Sequence, residues 1–231
     1  HIMAGRLPKP GRISLSPMLS YRGKLCGDLT VACLDENEFM VFGSGAAQEM
    51  HRRWFESHLD KYNLNYKNRS DEFHGLSIAG PNSRKVLEKI VRDDVSNEKF
   101  KFRDSRRMFV GGVPAIINRI SFTGELGYEI YVAPHYQLKL YEELMEAGKE
   151  FNIKPFGGRA LMSMRLEKNW GAWTLDYRPD FTAKETGLDV FINWDKEFIG
   201  KESAQKENSS NKLIPLIVET NEIDVTNNEA V

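Results

Sequence analysis

Cysteine is scarce: the 231 residues contain two, Cys26 and Cys33. Their odd separation within one strand-like run puts them on opposite faces, so neither a disulfide framework nor metal-ligand spacing follows. This usage fits a reducing compartment, and a cytoplasmic location is expected. Long apolar runs are missing as well. No stretch approaches the roughly 18 residues of a spanning helix, and no signal-peptide pattern precedes the first strand, so no membrane partner is expected. Nor is there an excess of either charge. The 32 basic and 33 acidic side chains leave a formal net charge of −1, which removes the long-range field that would gather nucleic acid. The densest basic stretch, RDSRR at 103–107, carries an acid inside it and reads as a solvated turn.

Several catalytic signatures are also absent. There is no GxGxxG or P-loop, and no serine sits in a GxSxG elbow. The short GSG at Gly43–Gly45 reads as a plain strand-to-helix turn. His51, His58, His74 and His135 are scattered without partners at ligand spacing, so no metal centre is expected.

What the chain does contain is ordinary globular composition, 41% hydrophobic and 28% charged. Alternating residues predict strands over 25–34, 38–45, 73–81, 113–123 and 127–133, the last two flanking a Gly-Glu-Leu-Gly turn. Helical spacing predicts helices from about 46 to 62, capped by Ser44, and over 82–91, 136–151 and 158–169. Strands and helices mix without regular βαβ alternation, so the expected class is α+β with largely antiparallel sheets and packed helices. The leading His1-Ile2-Met3 reads as a cloning remnant outside the fold. KENSSNK at 206–212 reads as a linker and KLIPLIVET, which follows, as a fresh strand.

Three charged positions stand out chemically. Asp28 lies inside a β-run, where aspartate is disfavoured unless it faces water or a ligand. Glu125 stands beside Gly124 at a hairpin turn, either an ordinary exposed acid or a presented one. Arg165 and Glu167 cannot share a helix face at a spacing of two, and an inward Arg165 needs a carboxylate or carbonyl partner. Trp170 and Trp173, with Asp176 and Tyr177, could wall a flat heteroaromatic ligand or simply pack a core.

Taken in order, GRISLSPML, GDLTV, IAGPNSRKVL, RISFTGELGYEIYV, GRALMSMRLEK, TAKETGLD and FIGKESA resemble one family. It is the folate-binding aminomethyltransferase family of the glycine cleavage T-protein, and the likeness is closer to the C-terminal region of dimethylglycine and sarcosine dehydrogenases. Leu15 and the GSG turn suit the dehydrogenase branch.

The resemblance implies a folate-binding domain over 5–205 that lacks its N-terminal part, then a linker and the first strand of a truncated C-terminal β-barrel over 206–231. It implies tetrahydrofolate as cofactor, with FAD on a domain not present in this chain. A methylated amine, or its iminium or formaldehyde product, is the implied partner. By the same likeness Asp28 is catalytic, Glu125 holds the pterin ring, and Arg165, Ser44, Phe122 and Trp173 complete the folate site. A free T-protein-like transferase, a demethylase of another methylated osmolyte, and a regulatory domain that lost turnover remain as alternatives.

Overall fold

Strands with one apolar face open the chain. β1 (Arg12–Leu19) and β2 (Leu25–Asp35) pair antiparallel from Arg12↔Cys33 to Leu19↔Leu25, and β3 (Glu38–Phe42) adds a third strand through Thr30↔Phe42. These assignments come from a computed structural model, which describes residues 1–219. A short 3₁₀ turn then leads into α1 (Gln48–Leu59). Ser44 makes no side-chain cap there; its carbonyl accepts from the Ala47 N–H at 3.1 Å. Trp54, Phe55 and Leu59 on α1 pack against a cluster of Ile2, Met18, Leu29 and Ile199. His1-Ile2-Met3 is therefore not outside the fold: Ile2 is buried, and the His1 carbonyl accepts from the Ile199 N–H at 3.0 Å. Apolar surface supplied by Ile2 explains the docking.

The second sheet has the order β4-β7-β6-β5 and is antiparallel throughout. Its strands are β4 (His74–Ala79), β5 (Ser105–Val110), β6 (Val113–Asn118) and β7 (Gly127–Val132). Along β7, Tyr128, Ile130 and Val132 are fully buried while Glu129 and Tyr131 are only half-buried. Strand alternation thus gives this sheet a closed face and a half-open one. The closed face packs on α2 (Ser83–Glu88) and α3 (Gln137–Gly148), where Leu87, Leu140 and Leu144 join Phe100, Ile117 and Tyr128.

RDSRR is not a solvated turn. It enters β5, and its acid, Asp104, is buried, pairs with Arg12 and accepts from the Lys101 N–H at 2.7 Å. The guanidinium of Arg106 lies 5.1 Å from the centre of the Phe100 ring. An ion pair with β1 and a hairpin with β6 outweigh the local charge that suggested a turn. Backbone bonds from Ser105 to the Gly11 carbonyl (2.9 Å) and from Ile13 to the Arg103 carbonyl (2.8 Å) join the two sheets at this edge.

After α4 (Gly158–Glu167) the chain turns irregular, as its lack of period implied. α5 (Ala183–Thr186) opens with a capping box in which Thr182 and Glu185 satisfy each other's backbone N–H groups. α6 (Lys201–Gln205) follows. Trp173 and Tyr177 pack with Ala4, Leu19, Leu25, Leu188 and Phe198 in a cluster beneath the first sheet. The strand expected in KLIPLIVET does not form over 212–219, so no part of a barrel stands among the described residues. Exposed Leu213, Ile214 and Ile217 find no pairing edge there. The rest of the expected barrel segment, from residue 220 on, lies outside the described residues.

Ile117 is wholly buried between β6 and the two helices. Ile117→Ala is expected to lower the unfolding free energy by about 2–5 kcal/mol, read from the midpoint of a urea titration.

Candidate functional site

Side-chain alternation brings two half-open faces together. On β2, Cys26, Asp28 and Thr30 are half-buried while Leu25, Gly27, Leu29 and Val31 are buried. Thr30 stands opposite Phe42 in the register, so Asp28, Thr30 and Phe42 share one face of the first sheet. The Phe42 ring meets that of Tyr131 with centroids 4.4 Å apart, and Tyr131 shares its face of β7 with Glu129. Asp28 thus lies on the face of the first sheet that carries Phe42, and Glu129 on the face of the second that carries Tyr131.

Both are held under strain of charge. Burial pushes the Asp28 carboxyl up to about 7, opposed only weakly by its own backbone N–H. Burial also raises Glu129, countered by a hydrogen bond from the Tyr131 hydroxyl at 2.7 Å and by the positive charge of Lys168. The Tyr131 phenol is raised well above its usual value, first by burial and then by Glu129. Lys168, whose ammonium lies 4.7 Å from the centre of the Trp170 ring and donates to the Ser121 carbonyl at 2.9 Å, is lowered by burial.

The strand carrying Asp28 is pinned from behind. His51 on α1 donates from Nε2 to the Cys26 carbonyl at 3.1 Å, and burial lowers its pKa, opposed by that hydrogen bond. Gly27 is required here: a Cβ at that position would stand 2.8 Å from His51 Nε2. At the other end of the region, the Tyr177 hydroxyl accepts from the Gly171 N–H at 3.1 Å, and its ring leaves no room for a Cβ on Gly171. Burial raises the Tyr177 phenol, and the negative charges of Asp28 and Asp176 add to this.

The expected site residues divide sharply. Asp28 is half-buried on β2, near enough to Tyr177 for its charge to act on that phenol. Arg165 is buried, donates to the Trp170 carbonyl and pairs with Asp176, both at 2.7 Å, so it has the carboxylate and the carbonyl an inward arginine requires. Its charge acts, with that of Asp28, on Tyr177. Glu125 is exposed at the hairpin tip, beyond Gly127, the last paired residue of β7, so alternation does not turn it inward. Glu129, four residues on, is the enclosed acid of that hairpin. The GYEI alternation within the same phrase could have identified it. Trp173 is 7% exposed and belongs to the core rather than to an open wall, with its ring 5.9 Å from that of His51. Phe122 is half-buried.

Two open recesses lie nearby. One, about 400 Å³, is lined by Phe42, Ser44, His51, Phe55, Tyr66 and Tyr131. The other, about 580 Å³, runs between β4, α3 and residues 151–156. Of the expected residues only Ser44 lines either of these two recesses.

Comparison with known proteins gives a consistent picture. The family model described as GCVT N-terminal domain matches residues 1–196. The mitochondrial dimethylglycine dehydrogenase of Homo sapiens is 36% identical over 239 aligned residues, covering 100% of this chain and 28% of that protein. An aminomethyltransferase of Thermoanaerobacter pseudethanolicus is 30% identical over 201 residues, 86% of this chain and 54% of that protein. The chain thus spans between about a quarter and a half of these relatives. The solved glycine cleavage system aminomethyltransferase T from Bartonella henselae superimposes with a TM-score of 0.76 at 21% identity, over 89% of this chain and 56% of that one. That likeness establishes the α+β fold.

The raised Asp28 has a consequence for stability. The unfolded chain loses this proton near the usual carboxylate value, whereas the folded protein holds it to about pH 7, so stability falls as pH rises through that window and stays low above it. Asp28→Asn is expected to unfold later than wild type at pH 8, by about 2 kcal/mol once contact with solvent is allowed for. The gain vanishes at pH 4. Thermal unfolding at the two pH values checks both statements.

Proposed function

The chain belongs to the GCVT N-terminal domain family, and from that premise we propose that it binds tetrahydrofolate and serves one-carbon transfer in a dimethylglycine- or sarcosine-dehydrogenase-like enzyme. The observation that carries this reading is the pair of enclosed carboxylates, Asp28 and Glu129, on facing sheets. Identity to the dehydrogenase along the whole chain, against part of it for the aminomethyltransferase, favours that branch. A free aminomethyltransferase is the second reading. On the first, a methylated amine is the donor, and a flavin-bearing domain outside this chain oxidises it.

The residues present fit a flat, nitrogen-rich ring. Tyr131 donates to Oε2 of Glu129, which leaves the carboxylate with further acceptor capacity. A carboxylate so placed accepts two adjacent N–H groups from an aminopyrimidine edge. The pterin-holding role goes to Glu129 rather than to the exposed Glu125. Phe42 and Tyr131 supply an aromatic wall and keep water from the acids.

When bound, tetrahydrofolate supplies the amine nitrogens that take up the one-carbon unit. Asp28, poised near neutrality, takes a proton at its carboxylate and returns it with little free-energy change in either direction, which is the condition for effective general acid–base catalysis. His51 fixes the main chain two residues before Asp28 and so fixes where that proton sits. Arg165 acts through others: by clamping Asp176 and the Trp170 carbonyl it sets the loop that carries Tyr177. Ser44 lies at the rim of the adjoining recess, half-buried Phe122 lies in the loop between β6 and β7, and Trp173 supports the floor from the core.

Calorimetric titration with tetrahydrofolate tests the reading. Glu129→Gln is expected to weaken binding about ten- to a hundredfold, the loss of a charged hydrogen bond, while Glu125→Gln leaves it within about threefold, since exposed groups contribute little. Asp28→Asn should bind normally yet transfer the one-carbon unit about 10²- to 10⁴-fold more slowly. A wild-type protein that does not bind tetrahydrofolate contradicts the proposal.

A further inference from the structure

A row of polar side chains crosses the second sheet on its half-open face. In the register Ser105 stands opposite Asn118, Asn118 opposite Glu129, and Glu129 opposite Ser77. Ile116, the preceding residue on this face of β6, is apolar. Ser105 is 2% exposed and Asn118 fully buried, whereas Glu129 is half-buried and Ser77 exposed. The row therefore runs from the interior out to solvent, with Ser105 and Asn118 at its closed end.

Asn118 is only half satisfied. Its Oδ1 accepts from the Ser105 hydroxyl at 2.7 Å, but its Nδ2 is buried without a partner. A side-chain amide is flat, with oxygen and nitrogen on opposite sides of its axis. Once Oδ1 faces Ser105 on β5, Nδ2 faces the other neighbour, β7, where the residue directly opposite is Glu129. A buried N–H group needs an acceptor; no bond from Nδ2 is formed in this structure, and the carboxylate of the residue opposite is the strongest acceptor on that side.

We propose that Asn118 is a positioning residue for Glu129: its amide bridges Ser105 and the Glu129 carboxylate across the sheet and fixes how that carboxylate faces the bound ring. Glu129 is then held from two sides, by Asn118 from β6 and by Tyr131 from its own strand. The other charged group acting on it is Lys168, beyond the end of α4. Lys168 favours the ionised form. Removing the amide leaves burial less opposed, so the Glu129 carboxyl takes up its proton at higher pH.

The assignment of the ring as ligand rests on the function proposed above; the bridge itself does not. In the ligand-free wild-type protein, the Asn118 side-chain N–H resonances are expected to shift with pH at the same inflection as the ¹³C resonance of the Glu129 carboxyl. Independent movement, or none, overturns the bridge. In Asn118→Leu, and in the smaller β-branched Asn118→Thr should the first not fold, Glu129 is expected to bind its proton about tenfold more tightly. An unchanged Glu129 titration in a folded variant also overturns the proposal. Tetrahydrofolate binding by the variant should lose its acid limb at a pH higher by the same increment, with affinity well above that inflection changed less than about threefold. A pH-independent loss of affinity would mark Asn118 as merely structural and count against it. Failure of wild type to bind tetrahydrofolate would remove the proposed function while leaving the two titrations to decide the bridge.

Discussion

The contact between Phe42 and Tyr131 governs the arrangement of the site. It sets the half-open face of the first sheet against that of the second, and the joint at Arg12, Asp104, Gly11 and Ser105 holds the opposite edge. With both sheets fixed, period-two alternation decides which side chains look into the gap. Polar residues on that face would be costly if it closed completely and ordinary if it opened to water. It does neither, and the acids there carry shifted proton affinities as a result.

The surrounding structure restrains these acids. His51 holds the β2 main chain, Tyr131 donates to Glu129, and Arg165 clamps the loop that carries Tyr177. Each restraint uses a buried polar group paired on at least one side, so each adds direction as well as energy. Chemistry that passes a proton to and from an amine at neutral pH benefits from an acid such as Asp28, which neither holds nor releases its proton strongly. Its cost appears as lost stability at neutral and alkaline pH, a common feature of sites that act rather than support.

Much of the fold was legible because the phrases that set it are local. The TGELGYEI hairpin, the amphipathic run through Leu140 and Leu144, and the alternation around Asp28 all became elements near the expected bounds. RDSRR misled because its charges read as exposure, whereas Arg12, ninety-two residues from Asp104, supplies the partner that buries it. Ile2 misled because its partners, Met18, Leu29 and Ile199, are distant in sequence. KLIPLIVET reads as a strand, but strands need an edge and none is offered to residues 212–219.

At the site, Asp28 was legible as an acid out of place in a β-run. Glu125 stands out as a turn acid beside glycine, whereas the register that places Glu129 on the half-open face depends on β4 and β6. Asn118 carries no local signal at all; its meaning comes from the neighbours on either side. The most direct test of the central claim is a structure of the protein with tetrahydrofolate bound. The account predicts the ring between the two sheets, its aminopyrimidine edge on Glu129 and its reactive nitrogens toward Asp28. A ring found elsewhere, with both carboxylates out of contact, would contradict it.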